Sequence, residues 1–305
     1  MKKILITGGS GTIGTRLTQL LRHSGYDVVH LGRTTRTGKN IKTYVWDVNS
    51  GKIDTRAFEG VSTIVHLAGA NIGDKPWSEK RKREILESRT RSTRLLFDTL
   101  KRQDHQVSEF VSASAIGYYG LTDEEGSLFT EEDGPGDDYL ADVVRKWEHE
   151  VDHLVQLGLR VVKVRVGIVL SKEGGALSEI AKPVKYFVGA PLGTGNQMLS
   201  WIHLDDLCRV FVKAIEDKNV EGALNAVGPE PVSNKVFTKA IAKTLGRPLI
   251  LPAIPSAVIR LLIGEMSDLA LKGNAVSNAK LMKIGFQYQF NRLEDALKDL
   301  LIKKN

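Results

Sequence analysis

The stretch Ile4-Leu5-Ile6-Thr7-Gly8-Gly9-Ser10-Gly11-Thr12-Ile13-Gly14 constrains the fold of this chain more than any other. Ile4 to Ile6 has the pattern of a strand buried on both faces, and a glycine cluster follows at once. Leu17, Leu20 and Leu21 lie at helical spacing within Thr15–Arg22 and predict an amphipathic helix. A Gly-x-Gly-x-x-Gly pattern alone is weak evidence. Between a strand and a helix it predicts a dinucleotide site, with an incidental glycine turn as the competing reading. Gly8 would take the turn's unusual dihedrals, Gly11 would let backbone approach a phosphate, and Gly14 would let helix and strand pack closely. The free N–H groups at the helix start would face the anion. Candidate cofactor contacts here are Thr7, Gly8, Ser10, Gly11, Thr12, Ile13 and Gly14.

Downstream, strands alternate with helices, which predicts a doubly wound parallel-sheet Rossmann α/β domain with helices on both faces. Expected strands are Asp27–Leu31, Thr43–Trp46, Thr63–Leu67, Glu109–Ser112 and Leu159–Val164, with helices over 77–103 and 139–157. The second strand ends at Gly32-Arg33-Thr34, beside the adenosine ribose in such a fold. An acidic residue there would bind a 2′-hydroxyl, whereas an arginine suits a 2′-phosphate. Arg33 therefore favours NADP over NAD, with Arg36 and Lys39 as helpers; a solvated loop arginine is the plainer alternative. Leu67, Ala68 and Gly69 end a strand with small residues that let a cofactor come close, and Arg165 ends the sixth strand. His66 lies inside an apolar strand and reads as a satisfied core histidine rather than a base. Basic residues crowd Lys80–Arg94, but Glu79, Glu84 and Glu87 interleave and no aromatic platform accompanies them. Most of that charge reads as a solvated helix face, and nucleic acid is not the expected partner.

After Leu170 glycine and proline punctuation increases. The expected division is a dinucleotide-binding domain over 1–170, joined by about 197–228, with a smaller mixed C-terminal lobe from 171–196 and 229–305 on the substrate side. The net charge of +7 suits a phosphorylated ligand. The single cysteine, Cys208, excludes an intrachain disulfide and a cysteine metal cluster, so no metal is expected. No apolar run approaches a membrane span and no secretory segment is expected, which points to a cytoplasmic protein. The expected partner is an unidentified small-molecule substrate; a homodimer is compatible with the sequence.

The spacing Thr7-Gly8-x-x-Gly11-x-x-Gly14 resembles the extended short-chain dehydrogenase/reductases, and nearly the whole chain resembles their NAD(P)-dependent epimerase/dehydratase group. Ser114-Ala115-Ile116-Gly117-Tyr118-Tyr119-Gly120, Lys146-Trp147-Glu148, Gly189–Gly195 and Trp201–Asp206 narrow the resemblance to an atypical branch that ends in a domain of unknown function. In that last domain Asn274-Ala275 stands where the branch tends to carry Gln-Arg. The resemblance implies that Asp47 and Val48 contact the adenine, although Asp47 can also cap a turn.

The family's chemistry uses a Tyr-x-x-x-Lys pair on one helix. Lysine four residues after tyrosine shares its face, lowers the phenol's pKa and holds the nicotinamide ribose. This chain has no such pair. Aligning Glu148 with the family's post-lysine glutamate puts Leu140 at the tyrosine position and Val144 at the lysine position. Tyr139 and Lys146 are seven residues apart, about 10 Å of helix rise against about 6 Å for four residues, and cannot replace it. The resemblance keeps the serine as Ser114 and puts Arg89 at the asparagine position. Candidate catalytic groups are thus Ser114, Arg89 (also a candidate cofactor contact) and Tyr118, with Tyr119, His203 and Asp205 further off. Two readings stand: an NADP(H)-dependent oxidoreductase or epimerase-like enzyme, and a non-catalytic NADP(H)-binding sensor.

Overall fold

The computed structural model describes residues 2–35, 41–122, 128–172 and 174–302. Arg36, Lys39 and the tail 303–305 therefore lie outside the described residues.

Eight strands form the main sheet: β1 (Lys3–Thr7), β2 (Asp27–Gly32), β3 (Thr43–Asp47), β4 (Lys52–Ile53), β5 (Val61–His66), β6 (Glu109–Ala115), β7 (Arg160–Val166) and β8 (Gly222–Ala226). Their order is β8-β7-β6-β5-β1-β2-β3-β4. All neighbours pair in parallel except β3 and β4, where Trp46 faces Ile53 in an antiparallel edge. The chain winds outward from β1 to β4, then returns to β5 on β1's other side. That reversal opens a crevice beyond the carboxyl ends of β1 and β5, where open α/β sheets take their ligands.

Strand periodicity sends side chains of one strand to two cores. Ile4 and Ile6 join a cluster with Leu17 and Leu21 of α1 (Thr12–His23) and Phe211 of a later helix, Leu204–Glu216. Leu5 points the other way, to Leu96 and Leu100 of α2 (Glu79–Arg102) and Trp147 and Val151 of α3 (Tyr139–Asp152). The sheet is thus covered on both faces, as the alternation of strands and helices predicts.

Several boundaries differ from the sequence reading. The predicted helix over 77–103 begins at Glu79 because the Ser78 hydroxyl accepts from the Arg81 amide as an N-cap. The predicted helix over 139–157 tightens into a 3-10 turn at His153–Leu157 and ends at Gly158, whose φ is +73°. The eighth strand, Gly222–Ala226, was not anticipated: Gly-Ala-Leu-Asn-Ala is short and weakly apolar, and it pairs only through contact with β7.

A third core gathers Leu177 and Val184 of the helix Gly175–Lys185, Phe237 and Ile241 of the helix Asn234–Leu245, and Leu293 and Leu297 of the helix Leu293–Leu301. Buried Asp206 ties this region to the sheet by accepting the Gln289 and Phe290 amides at 2.7 and 3.0 Å. Asn274 Nδ2 donates to the Ile116 and Gly120 carbonyls, so the residue that departs from the branch pattern clamps the turn after β6. Removing a buried acceptor leaves its donors unsatisfied at about 1–3 kcal/mol each. Asp206→Ala should therefore lose about 2–4 kcal/mol in urea unfolding at neutral pH; a loss below half a kilocalorie would show that the clamp is redundant.

Candidate active site

A cavity of about 790 Å³ opens at the carboxyl ends of β1 and β5. Gly8, with φ of +67°, turns the chain out of β1; a Cβ there would lie 2.9 Å from the Leu67 carbonyl carbon. The Gly11 amide closes the turn on Gly8 O at 3.0 Å. Gly14 packs against this turn rather than against the strand, since its Cβ would fall 2.5 Å from Gly8 O. A Cβ on Gly11 would meet only Gly8 O, at 3.4 Å. Gly11 is also the N-cap of α1, with no side-chain hydrogen bond to its first amides, so donors stand open beside Ser10 and Gly11 at the cavity wall. Thr12 and Ile13 form the helix's first turn, where Ile13 packs on the core; neither lines the cavity.

Beneath the turn runs a buried hydrogen-bond chain. Thr7 Oγ1 accepts the Leu67 and Ala68 amides at 3.1 and 3.2 Å, so its own proton goes to His66 Nδ1 at 2.7 Å. His66 Nε2 then carries the ring hydrogen and donates to Ser92 Oγ at 3.1 Å, and Ser92 donates to Ser88 O at 2.7 Å. His66 is wholly buried and pushed down to about 3, by burial first and then by the charge of Arg89. It is a neutral structural histidine. Ser88 Oγ accepts the Ala70 amide at 3.0 Å, holding the next residues of the same wall.

At the other end, Arg33 is exposed at the mouth of both the main cavity and an adjoining one of about 90 Å³, which Ser10, His30 and Thr34 also line. Among the described residues Arg33 has no acidic partner. Asp47 and Val48 line the main cavity, but the Asp47 carboxylate is turned onto its own loop. It accepts the Ser50 hydroxyl at 2.8 Å and the Asn49 amide at 2.9 Å, and these bonds lower its pKa.

Leu67, Ala68 and Gly69, directly after β5, line the cavity. Arg89 lies half-buried behind Gly69, with its guanidinium 5.3 Å from the Trp147 ring. Its Nη1 donates to Ile85 O at 2.9 Å. The wall that the sequence reading missed comes from α2 and the loop before it: Asn71, Asp74, Lys75, Lys80, Arg81 and Ser88. Arg81, read as part of a solvated face, is only 6 % exposed. It bonds the Asn71 carbonyl, Asp74 and Glu84, and so fixes the loop that forms the cavity rim. The serines were findable: Ser88 and Ser92 stand four apart, on the helix face that meets β5.

Other sequence candidates are placed elsewhere. Ser114 is 4 % exposed and donates to Glu148 at 2.6 Å, so its hydroxyl is held in a buried pair rather than offered to a ligand. Arg165, expected at the cofactor, instead forms two bonds to Glu148 at 2.8 and 2.9 Å and a third to Tyr119 Oη at 2.9 Å. Tyr118 lies under that guanidinium, 3.5 Å from ring centre to Cζ. None of the three lines the cavity. A carboxylate at position 148 in a parallel-sheet protein needs a buried cation, and Arg165 on the adjoining strand is that cation. His203 caps the helix Leu204–Glu216 by accepting the Asp205 amide and stacks on Phe290, while Asp205 pairs with Arg16 at 2.6 Å. Neither lines the cavity.

On α3, Leu140 and Val144 are buried against Gly117, whose Cβ would lie 3.6 and 3.9 Å from them. Tyr139 Oη donates to Lys82 O at 3.0 Å, and Lys146 pairs with Asp142 at 2.6 Å on an exposed face. Tyr139 and Lys146 thus point to different partners.

With this geometry the sequence comparisons agree. A model of the NAD-dependent epimerase/dehydratase family matches residues 4–228. The chain belongs to that family. A domain of unknown function matches residues 254–300, as in the branch that the sequence resembles. The epimerase family protein YfhF of Bacillus subtilis (strain 168) is 35% identical over 300 residues, 98% of this chain and 97% of that one. A crystal structure of human epimerase family protein SDR39U1 (isoform 2) with NADPH superposes with a TM-score of 0.85 at 31% identity, covering 98% of both chains. The nucleoside-diphosphate sugar epimerase of Corynebacterium glutamicum gives 0.79 at 32% identity, covering 98% of this chain but 58% of that one. No helix among the described residues is long and apolar enough to cross a membrane.

Two predictions follow from this geometry. Gly11→Val should fold normally and lose dinucleotide binding, because its side chain has room within the protein but occupies the cavity wall. Gly14→Val should destabilise the fold itself, its Cβ colliding with backbone; near-normal NADPH affinity of the folded Gly11 variant in calorimetry would contradict this placement.

The second concerns acid. His66 binds a proton in the unfolded chain near its ordinary pKa of about 6.5, but in the fold only near 3. The unfolded state therefore takes up more protons in that window, and stability falls as pH drops from about 6.5 toward 3. From pH 7 to pH 5 this group alone should remove about 2 kcal/mol, measured by urea unfolding. His66→Gln should lower stability at pH 7 yet show a correspondingly flatter pH dependence; parallel curves for the two proteins would contradict the assignment.

Proposed function

We propose that the chain is an NADP(H)-binding oxidoreductase or epimerase-like enzyme acting on a small polar substrate, without a tyrosine–lysine proton relay. The observation that carries the cofactor choice is Arg33: it directly follows β2, has no acidic partner among the described residues, and lines a small side cavity shared with Ser10. An arginine there attracts a 2′-phosphate and offers no acceptor to a 2′-hydroxyl. The NADPH bound to the human relative supports the same reading. A nicotinamide dinucleotide held in the cavity would supply the hydride chemistry. The chain's own part is to cradle the pyrophosphate on the Gly8–Gly14 turn and to line the far wall with Leu67, Ala68 and Gly69.

Leu140 and Val144 favour a second reading, a sensor that binds NADP(H) without turning over, since neither side chain exchanges a proton. Loss of NADPH absorbance with any carbonyl compound separates enzyme from sensor. For the cofactor choice, NADPH should bind roughly ten- to a hundredfold more tightly than NADH, the worth of a charged hydrogen bond. Arg33→Glu should flatten or reverse the preference in calorimetric titration. Equal affinities in the unmodified protein would remove the basis for NADP.

A further inference from the structure

Arg89 differs from the other buried or half-buried arginines of this fold. Arg16, Arg81, Arg160 and Arg165 each pair with a carboxylate. Arg89 has one hydrogen bond, to the Ile85 main-chain carbonyl, and no acidic partner among the described residues. Its other charged influences are Tyr139 and Arg81, and burial pushes the guanidinium down to about 10, still protonated at neutral pH. The fold makes room for it deliberately: a Cβ on Gly69 would lie 3.3 Å from Arg89 Cζ and 3.4 Å from its Cγ, and Gly69 lines the cavity. On the opposite side Arg89 faces Trp147, nearly one helical turn beyond Val144. Arg89 does not itself line the cavity: it stands directly behind Gly69, which does, as a half-buried cation with unused planar donors one residue from oxygen acceptors that arrive with a ligand.

Resting on the reading that the cavity takes NADP(H), we propose that Arg89 supplies from α2 the fixed positive charge that a family lysine at position 144 would supply from α3, holding the nicotinamide-side ribose and its phosphate. Arginine at the family's asparagine position and valine at its lysine position then form one exchange. A lysine at 144 would stand on the same helix as Trp147, the ring that Arg89 faces, and would bring a second buried cation toward it, where like charges disfavour each other. The charge has moved from one helix to the facing one, while the phenol that it would have tuned is absent from position 140. Arg33 at the cavity mouth and Arg89 behind Gly69 thereby divide the dinucleotide.

Calorimetry with two probes tests the division: NADPH, and adenosine 2′,5′-bisphosphate, which lacks the nicotinamide half. Arg89→Ala should weaken NADPH by roughly tenfold or more and leave the bisphosphate within about twofold, which also shows that the variant is folded. Arg89→Lys should keep most of the NADPH affinity. Arg33→Ala should weaken both probes. Unchanged NADPH affinity in Arg89→Ala, or equal weakening of both probes, would overturn the assignment of Arg89. Failure of the unmodified protein to bind either probe would instead overturn the NADP(H) reading, and this inference with it.

Discussion

The Thr7–His66–Ser92 hydrogen-bond chain is the constraint on which the cavity depends. It joins the end of β1, the end of β5 and the middle of α2, the three elements that meet at the reversal of the sheet. Thr7 uses both its lone pairs on the Leu67 and Ala68 amides, so His66 must accept at Nδ1 and donate at Nε2. One tautomer satisfies every member. A partly satisfied buried network would cost more than an apolar core, so the chain holds the glycine turn and the Leu67–Gly69 wall in fixed register. On that frame Gly8 takes its left-handed turn, α1 presents its uncapped start, and Ser88 secures the Ala70 amide.

Electrostatics on this frame is uneven. Glu148, Arg165 and Tyr119 form a closed buried set beyond the cavity, with Ser114 bonded into it. Those groups neutralise one another. Among the described residues Arg33 and Arg89 have no carboxylate partner; Arg33 lines the cavity mouth and Arg89 lies behind Gly69. The same sheet end thus contains a structural ion pair that stabilises the fold and, among the described residues, two arginines without a carboxylate that suit an anionic ligand.

Much of this was legible because local rules decide it. The glycine turn, the first strands and the buried state of His66 follow from short-range pattern, and Arg33 stands where β2 stops. What the sequence left dark depends on which groups meet across the fold. Nothing local shows that Glu148 on α3 would take both Ser114 and Arg165, so a serine and an arginine at strand ends read as site residues. Arg81 sits in a run of alternating charge that looks solvated, yet the loop before α2 folds over it. Gly222–Ala226 is too short and too weakly apolar to announce a strand, and forms one because β7 offers a free edge. Asp47 was readable both ways; it lines the cavity while its carboxylate caps its own turn.

The central claim is that this cavity holds NADP(H) between two arginines with no phenol–ammonium pair beside it. A crystal structure of the NADPH complex tests it most directly. The account predicts the 2′-phosphate against Arg33, the nicotinamide-side ribose within reach of Arg89, and Leu140 and Val144 still packed on Gly117. A complex in which Tyr139 and Lys146 had moved together onto the nicotinamide, or in which the 2′-phosphate lay away from Arg33, would contradict it.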